Sequence, residues 1–554
     1  MAAPCLLVAI SSVLMELPFP FAGPMPAWRA SFAWFGLVPL LVALASGAPA
    51  RRPLRRGFAL GYFAGVLWYM GNCYWVRDTM MQYGDMPPLA PELLLLAFSL
   101  YLGLYWGLFG LAFAAMESRQ STARALVAAP LLWVAMELAA ARITGFPWDQ
   151  LGCSQVDNPL LTPLATLTGA YGLSFLLVTV NALLAAAFLR PGARFRLAAG
   201  GGLLAVLGLL AVGLGVTPPS AQPTQTAVLI QPNLDVAGVG FWSGPGEWQR
   251  HMAAFGQLAA RPCQPSFAGT PESGHAPTAL NCPPAALHPT LVVWPESPAP
   301  YFEQDPRLAN SLVQLATSSQ SNFIVGAEGM DPAPSPDPAQ NSGPAADASP
   351  REYNSALIFG SAGQRIGRYD KIHLVPFGEY VPFQRLLFFA RKLTGKVSRY
   401  DRGMEHKTFL IDGHRYGVFI CYEAVFADEV RDFARNGAEA LVNISDDGWY
   451  GDTSAPWQHL NMVRMRAIEN RRWIVRATNN GITAAIDPEG RVRQSIPRHA
   501  ADALAAGYGF RRDVTFYTAH GDVFAWLCAL FSLALLARPV RKAQCINELP
   551  KITK

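Results

Sequence analysis

Residues 416–423 read Tyr-Gly-Val-Phe-Ile-Cys-Tyr-Glu, a continuous apolar run that ends on Cys421. Short runs of the same kind recur through the second half of the chain, at 226–230, 291–294, 323–325, 356–359, 440–444 and 482–486. Helical patterns separate several of them, at 305–318, 427–436 and 455–471. Because apolar strands that alternate with helices are typical of sheets covered on both faces, this half is predicted to be an α/β domain of stacked sheets with outer helices.

Three segments of this half place a reactive side chain beside a strand or turn pattern. Cys421 ends the run quoted above, and Glu296 follows residues 291–295, which read Leu-Val-Val-Trp-Pro. Lys371 lies in residues 369–379, which read Tyr-Asp-Lys-Ile-His-Leu-Val-Pro-Phe-Gly-Glu. A thiol, a carboxylate and an amine are the groups needed to form and break an acyl thioester.

Each of the three residues also has an ordinary explanation. Cys421 is predicted to be a nucleophile, although a lone cysteine after a strand is more often a packed apolar residue. Glu296 is predicted to be its base, with a pKa raised by partial desolvation, although a glutamate is normally solvated. Lys371 and the amide of Tyr422 are predicted to stabilise the oxyanion, although Lys371 could instead form a surface ion pair with Asp370. The presence of all three residues in the order Glu, Lys, Cys along one chain favours the catalytic interpretation.

The composition of the whole chain restricts its class. Of 554 residues, 51% are apolar and only 15% are charged, against about 25% charged in soluble domains. The net charge of +5 comes from short basic clusters, and no basic face with interleaved aromatic residues is present, so nucleic acid is not expected as a partner. No Cys-x-x-Cys pair, His-Glu-x-x-His motif or Cys/His cluster has the spacing of zinc ligands, so no metal site is predicted.

Long apolar runs are concentrated at the start of the chain and near its end. A helix that crosses a bilayer needs about 20 mostly apolar residues. Eight candidate spans are predicted, at about 4–20, 31–48, 57–76, 92–116, 124–141, 169–189, 195–216 and 520–538. The first run lacks the basic start and cleavage site of a signal peptide, so it is predicted to be a retained helix.

These runs divide the chain into a membrane part and a globular part. The predicted units are a seven-helix membrane domain at 1–216, a catalytic domain at 222–515, a last span at 520–538 and a tail at 539–554. Residues 262–289 and 331–350 are rich in Pro, Ala, Ser and Asp, and they are predicted to be surface insertions in the catalytic domain.

The distribution of basic residues predicts the orientation in the membrane. Every second loop carries arginine or lysine, at Arg51, Arg52, Arg55 and Arg56, then Arg119 and Arg124, then Arg190, Arg194 and Arg196, then Arg538, Arg541 and Lys542. Because cytoplasmic loops are enriched in Lys and Arg, both termini are predicted to be cytoplasmic and the globular domain to lie outside the cytoplasm. Cys263 and Cys282 share one insertion of that domain, and whether they form a disulfide is left open.

The order of the three reactive segments resembles the Glu-Lys-Cys enzymes of the nitrilase superfamily. The shared motifs are Trp-Pro-Glu-Ser at 294–297, Tyr-Asp-Lys-Ile-His-Leu-Val-Pro-Phe-Gly-Glu-Tyr-Val-Pro at 369–382 and Ile-Cys-Tyr-Glu at 420–423. With the multi-span N-terminal region, Thr-Gly-Phe-Pro-Trp at 144–148 and one C-terminal span, the chain resembles the bacterial apolipoprotein N-acyltransferase family from end to end.

This resemblance implies a fold and a set of roles. The expected fold is a multi-span α-helical membrane domain joined to an α/β nitrilase-like domain, an αββα sandwich outside the cytoplasm. Glu296 is the implied base, Lys371 the implied oxyanion stabiliser and Cys421 the implied nucleophile. Supporting residues are implied at Glu379, Tyr422, Glu423 and, with a longer spacing than usual, Trp242.

The resemblance also implies a reaction at the bacterial inner membrane. A phospholipid donates an acyl chain to Cys421, and the N-terminal amine of a diacylglyceryl-cysteine apolipoprotein accepts it in a second step, the last of lipoprotein maturation. The ping-pong scheme needs no cofactor, and the catalytic domain is expected in the periplasm. The family usually has Asn where Asp446 stands and Phe where Tyr450 stands, so the effect of Asp446 on the thiol is an open question.

Residues 383–399 mix Phe and Leu with Arg and Lys. This pattern fits either a lid or lipid guide in the headgroup layer or an ordinary amphipathic packing helix.

Three other functions remain possible on the sequence. A membrane-anchored amidase or nitrilase would share the three reactive residues but would not need eight spans. A non-catalytic membrane binding protein would not need the three residues. A transporter is disfavoured because the spans carry few ionisable residues, mainly Glu16 and Glu137, so no path for a substrate or ion is evident.

Overall fold

The structure is a computed structural model. It describes residues 2–21, 23–46, 52–84, 86–189, 192, 197, 200–208, 211, 221–236, 246–259, 290–296, 302–332, 350–380 and 400–537. Trp242, both cysteines of the predicted insertion, almost all of 262–289 and 331–350, and the segment 383–399 lie outside these ranges.

The first part of the chain is helical. Its α-helices are α1 (Ala2–Glu16), α2 (Val38–Ala45), α3 (Pro53–Asn72), α4 (Trp75–Tyr83), α5 (Ala90–Arg119), α6 (Thr122–Ala139), α7 (Thr162–Thr168) and α8 (Ala170–Leu189). Short helical turns at Ala27–Trp34, Ala140–Thr144 and Leu151–Gln155 connect them, and residues 200–208 are also helical.

Four helical segments of the described chain are long and apolar enough to cross a membrane: Ala27–Ala45, Ala90–Arg119, Thr122–Thr144 and Ala170–Leu189. Shorter apolar helices lie at Ala3–Glu16 and Val523–Ala537. The predicted multi-span helical region is therefore confirmed. The number of spans is still a prediction, because only four of the eight predicted runs meet the length and composition of a span in the described residues.

Glycines allow α3 and α5 to pack closely. A Cβ added at Gly61 would lie 2.2 Å from the carbonyl oxygen of Trp106, and one at Gly110 would lie 2.2 Å from that of Gly57. Small residues at such positions let two helix backbones approach, which is a common way for helices to pack within a membrane.

The second part of the chain contains two six-stranded sheets. The strands are β1 (Gln225–Gln231), β2 (Leu291–Val293), β3 (Asn322–Asp331), β4 (Arg351–Phe359), β5 (Arg365–Asp370), β6 (Thr408–Ile411), β7 (His414–Ile420), β8 (Ala440–Ser445), β9 (Ile474–Thr478), β10 (Thr483–Ile486), β11 (Val492–Ile496) and β12 (Asp502–Tyr508). Their orders are β12-β1-β2-β3-β4-β5 and β11-β10-β9-β8-β7-β6. In each sheet the three central strands, β1-β2-β3 or β7-β8-β9, are parallel.

Helices cover the outer faces of both sheets. They are α9 (Glu247–Ala259), α10 (Pro306–Ser319), α11 (Ala427–Arg435) and α12 (Ala455–Asn470), followed by α13 (Phe516–His520) and α14 (Val523–Ala537). On β1, Ala227 and Leu229 belong to the core that both sheets share, whereas Val228 and Ile230 pack with α9 and α10. This alternation, which follows from the two-residue period of a strand, confirms the predicted αββα sandwich.

The second sheet and its helices pack against the membrane helices. Tyr422, Phe426, Tyr450 and Met462 belong to the same buried apolar cluster as the cores of α2, α3, α5, α6 and α8. The end of β7 therefore lies at the junction between the sandwich and the helical region.

Candidate active site

The three predicted catalytic residues lie at strand ends and are buried. Glu296 follows β2, Lys371 directly follows β5, and Cys421 directly follows β7. Their exposed fractions are 6%, 1% and 7%. Glu296 comes from the first sheet and Cys421 from the second, and each follows the carboxyl end of a parallel strand.

Lys371 is the centre of a buried ion cluster. Its Nζ donates to Oε1 of Glu296 and to Oε1 of Glu379, both at 2.9 Å. Asn354 on β4 donates through Nδ2 to the same two oxygens, both at 2.7 Å. The alternative of a surface ion pair with Asp370 is therefore wrong, because Asp370 instead pairs with Arg368.

The expectation of a raised pKa for Glu296 is also wrong. Burial alone would raise it, but the charge of Lys371 and the hydrogen bonds from Lys371, Asn354 and the amide of Asp446 lower the pKa below its usual value. The Asp446 amide donates to Oε2 at 2.8 Å. Glu296 is therefore an ionised carboxylate at neutral pH, which is the form that a proton acceptor needs.

The Cys421 thiol has the opposite shift. Burial and the negative charge of Glu296 raise its pKa well above the usual value, and the charge of Lys371 offsets this only in part. Cys421 is therefore a neutral thiol at rest beside an ionised carboxylate. This arrangement favours proton transfer to Glu296 during attack rather than a permanent thiolate.

The backbone of Cys421 is in the left-handed region, with φ of +49°. A non-glycine residue in this region is strained, and such strain is common at active sites. Glu423 fixes the turn: its Oε2 accepts the amide of Ile420 at 2.7 Å, and its Oε1 accepts the amide of Ile372 at 2.6 Å and the hydroxyl of Tyr369 at 2.7 Å. One buried carboxylate thus ties the Cys421 turn to the Lys371 loop.

The remaining supporting residues have separate positions. Glu379 accepts the amide of Val375 through Oε2 at 2.7 Å, in addition to its bond from Lys371. The Tyr422 hydroxyl donates to the carbonyl of Gly145 at 2.9 Å, in the loop that follows α6. Tyr422 therefore connects the Cys421 turn to the membrane helices.

Asp446 is a buried acid close to the base. Its side chain accepts the Gly448 amide at 3.0 Å and the Asn479 amide group at 3.3 and 3.2 Å. Burial and the charge of Glu296 raise the pKa of Asp446 to about 8. Its carboxyl group is therefore mostly protonated at pH 7 and behaves much like the asparagine that the resemblance leads one to expect.

Two groups of site residues were not predicted. Asn354 is a polar residue directly before the strand pattern Ser-Ala-Leu-Ile-Phe at 355–359. A polar residue beside such a pattern could have indicated a site residue. Behind Cys421, His459 donates through Nε2 to the carbonyl of Cys421 at 3.0 Å, and its Nδ1 lies 3.0 Å from Oδ1 of Asp447. No local sequence pattern links His459 to Cys421, because these two residues come together only when α12 packs against the second sheet.

No group of three or more His, Cys, Asp or Glu residues in the described ranges could hold a metal ion.

An αββα sandwich with Glu, Lys and Cys at its strand ends, joined to apolar helices, defines a membrane-attached protein of the nitrilase class. Residues 248–505 match the carbon-nitrogen hydrolase family, and residues 11–183 match the apolipoprotein N-acyltransferase N-terminal domain. The chain is 33% identical to the apolipoprotein N-acyltransferase of Geobacter metallireducens over 557 residues, which covers 97% of this chain and 95% of that protein. It is 30% identical to that of Allorhizobium ampelinum, with coverages of 96% and 95%.

The chain belongs to the apolipoprotein N-acyltransferase family. This confirms the expected family, the enzyme class of acyltransferase and an association with a membrane. The solved structure of Nit3 of Saccharomyces cerevisiae, a nitrilase-superfamily member, aligns with 55% of this chain and 95% of its own, with a TM-score of 0.34 and 17% identity.

Proposed function

We propose that this protein transfers an acyl chain from a phospholipid to the N-terminal amine of a diacylglyceryl-cysteine apolipoprotein, through a thioester on Cys421. The observation that carries this proposal is the position of the buried Glu296–Lys371 pair and the Cys421 turn. Lys371 pairs with Glu296, and Tyr422 and Val425 of the Cys421 turn belong to the apolar cluster of the membrane helices. A nucleophile at this junction can be reached by a lipid ester without leaving the bilayer surface.

The first half-reaction forms the thioester. Glu296 takes the proton of the Cys421 thiol as sulfur attacks the ester carbonyl of the phospholipid. Lys371 and the amide of Tyr422 stabilise the resulting oxyanion. The carbon–oxygen bond then breaks, and the proton on Glu296 passes to the leaving alkoxide, which departs as lysophospholipid.

The second half-reaction forms the amide. The acceptor amine attacks the thioester carbonyl, the same donors stabilise the second oxyanion, and Glu296 takes a proton from the attacking nitrogen. Collapse breaks the carbon–sulfur bond, and the proton returns to Cys421. Because an amide is more stable than a thioester, the scheme needs no ATP and no cofactor.

The proposed supporting roles follow the contacts of each residue. Glu379 orients Lys371, Glu423 fixes the nucleophile turn, and Tyr422 couples that turn to the helical region. Trp242 is proposed as an additional supporting residue from its sequence position alone.

The proposed location is the bacterial inner membrane, with a periplasmic catalytic domain at 222–515 and both termini in the cytoplasm. Residues 1–216 are proposed as a seven-helix membrane domain, with a final span at 520–538. The alternating basic loops support this orientation, since positive charge is retained on the cytoplasmic side.

The deciding experiment is intact-protein mass spectrometry of the purified full chain after incubation with a defined phosphatidylethanolamine. We expect one added acyl mass that hydroxylamine removes. Cys421→Ala should abolish it, and Cys528→Ala, which removes a buried thiol from α14, should not. An adduct that persists in Cys421→Ala would contradict the proposal. No adduct on a folded protein that hydrolyses small amides would favour the amidase alternative.

A further inference from the structure

A charged network lies directly behind the nucleophile. It consists of Asp447, which follows β8, His459 on α12 and Arg476 on β9, and each of the three side chains is 0% exposed. Arg476 donates through Nη2 to Oδ2 of Asp447 at 2.5 Å, and it also bonds to the side chain of Asn443. Burying charged groups to this extent costs free energy unless they are paired and hydrogen-bonded.

The hydrogen bonds determine which atoms of His459 carry protons. Nε2 lies 3.0 Å from the carbonyl oxygen of Cys421, and because a carbonyl can only accept, Nε2 must donate. Nδ1 lies 3.0 Å from Oδ1 of Asp447. Burial would raise the pKa of Asp447, but the charges of Arg476 and His459 and the hydrogen bond from His459 hold it well below its usual range.

Asp447 is therefore an ionised carboxylate beside Nδ1 of the ring. Arg476 Nη2 approaches Nδ1 to 3.3 Å, but it already has the shorter bond to Asp447. The network therefore ends in Nε2 of His459, which donates to the Cys421 carbonyl.

The accepting carbonyl belongs to the peptide group whose nitrogen is that of Tyr422. A hydrogen bond to a peptide oxygen polarises the whole peptide group and makes its N–H a stronger donor. The Tyr422 amide lies in the first turn of a short helix, Cys421–Val425, where amides have no acceptor within the helix. It is therefore available to an oxyanion that forms at Cys421.

We propose that His459 is a positioning residue for acyl transfer. It holds the carbonyl of the strained Cys421 and polarises the Cys421–Tyr422 peptide, so that the Tyr422 amide becomes a stronger oxyanion donor. Asp447 and Arg476 hold the His459 ring and its protons in place. The inference rests on the proposed acyl transfer, because it assigns an oxyanion to the Cys421 site.

Other groups packed around His459 do not supply this interaction. Besides Asp447 and Arg476, the titratable side chain of Tyr450 also faces the ring, with its ring centroid 5.9 Å away. Trp148 stacks on the ring at 6.1 Å and shields it with an apolar face. Only the His459 Nε2 contacts the Cys421 carbonyl among the side-chain hydrogen bonds of the described residues.

The test compares His459→Leu with His459→Gln in the purified full chain. Glutamine retains a neutral donor, and leucine has none. Two reactions of Cys421 are measured: acylation by p-nitrophenyl butyrate, which passes through an oxyanion, and alkylation by iodoacetamide, which does not. Acylation by phospholipid is followed in parallel. His414→Gln, a histidine at the far end of β7 that pairs with Glu439, is the matched control.

We expect His459→Leu to slow acylation by about 30-fold, less than the roughly 10²–10³-fold cost of removing a whole oxyanion donor. Alkylation at pH 8 should fall by no more than about threefold. His459→Gln should recover most of the acylation rate, and His414→Gln should match the wild type.

Several results would overturn this role. Acylation and alkylation that fall in parallel in His459→Leu would indicate structural support alone. Acylation that is unchanged in His459→Leu, or as slow in His459→Gln as in His459→Leu, would also contradict it. If phospholipid gives no adduct on the wild type while the nitrophenyl ester does, the proposed acyl donor is wrong, and the ester rates still decide the role of His459.

Discussion

The pKa values of Glu296 and Cys421 are shifted in opposite directions. Lys371 lowers the pKa of Glu296, and the charge of Glu296 raises that of the thiol. The proton therefore stays on sulfur until a substrate carbonyl is present. A resting thiol of this kind is protected from alkylation and oxidation, both of which require thiolate.

Replacing the base should change two reactions of Cys421 in opposite directions. In Glu296→Gln, we expect acylation by phospholipid to fall by about 10²–10⁴-fold, the usual contribution of a general base. Alkylation by iodoacetamide at pH 8 should become faster, because the charge that raised the thiol pKa is gone and Lys371 then favours the thiolate. Both rates are followed by intact mass. Slower alkylation in a folded variant would contradict this account.

Asp446 should impose a limit on activity at alkaline pH. As pH rises through about 8, its carboxyl group ionises beside Glu296 and adds a second negative charge that disfavours the oxyanion. Acylation of the wild type should therefore decline above pH 8, and Asp446→Asn should remove that decline. Rates of acyl-enzyme formation from pH 6 to 10 check this. Identical profiles would show that Asp446 does not titrate in this range.

Asp446 should also make the folded protein less stable as pH rises. The pKa of Asp446 is raised in the folded state, so the folded protein binds more protons than the unfolded chain between about pH 4 and 8. The contribution of Asp446 to stability is therefore lost as pH rises through this window. Asp446→Asn should unfold at a higher temperature than the wild type at pH 8, with a smaller difference at pH 5. A thermal unfolding series measures this directly.

At the scale of elements, α12 joins the nucleophile turn to the membrane helices. Two consecutive residues of this helix face in different directions. His459 contacts Cys421, and Gln458 is buried against the helical region, where its Nε2 donates to the carbonyls of Pro20 and Asn72 at 2.9 and 3.1 Å. Its Oε1 accepts the indole of Trp148 at 2.8 Å.

Removing this polar link should destabilise the contact between the two regions. Gln458→Leu leaves the Trp148 indole and two carbonyls buried without these partners, at a cost of about 1–3 kcal/mol for each unsatisfied group. We expect a lower thermal unfolding midpoint and slower acylation by phospholipid. Asn461→Ala is the control, because Asn461 lies on the same helix and accepts a hydrogen bond from Arg464 on that helix. Equal midpoints for the two variants would contradict the link.

At the scale of the whole molecule, the sandwich and the helices share one apolar core. Phe426, Tyr450, Met462 and Met465 are buried in the cluster that the membrane helices form. Ion pairs between Arg142 and both Asp428 and Asp522 join the end of α6 to α11 and to the start of α14. The membrane helices therefore bury part of the apolar surface of the sandwich.

A fragment that contains only the sandwich should expose the apolar surface that the membrane helices bury. Residues 222–515 expressed alone are expected to aggregate without detergent, because the apolar surface around Phe426 and Met462 becomes exposed. Size-exclusion chromatography and thermal unfolding, compared with the full chain in the same detergent, provide the measurement. A monodisperse fragment as stable as the full chain would show that the sandwich is an independent unit.

The amino-acid sequence alone predicted several helices and seven of the twelve described strands, together with the candidate reactive residues that follow some of them. Helices predicted at 305–318, 427–436 and 455–471 lie at Pro306–Ser319, Ala427–Arg435 and Ala455–Asn470. The period of apolar residues is a local property, so it specifies such segments without any long-range information. Strands β5, β6, β9, β11 and β12 were not predicted. Four of them are edge strands, and the apolar run of β9 is interrupted by Arg476.

Only the tertiary structure decided the electrostatics of the site. The pKa of Glu296 was expected to be raised and is lowered, because Lys371 and Asn354 reach it from β5 and β4. Likewise, His459 meets the Cys421 carbonyl from a helix 38 residues further along the chain. A pKa depends on distances and burial between residues far apart in sequence, and these are fixed only when the two sheets and their helices pack together.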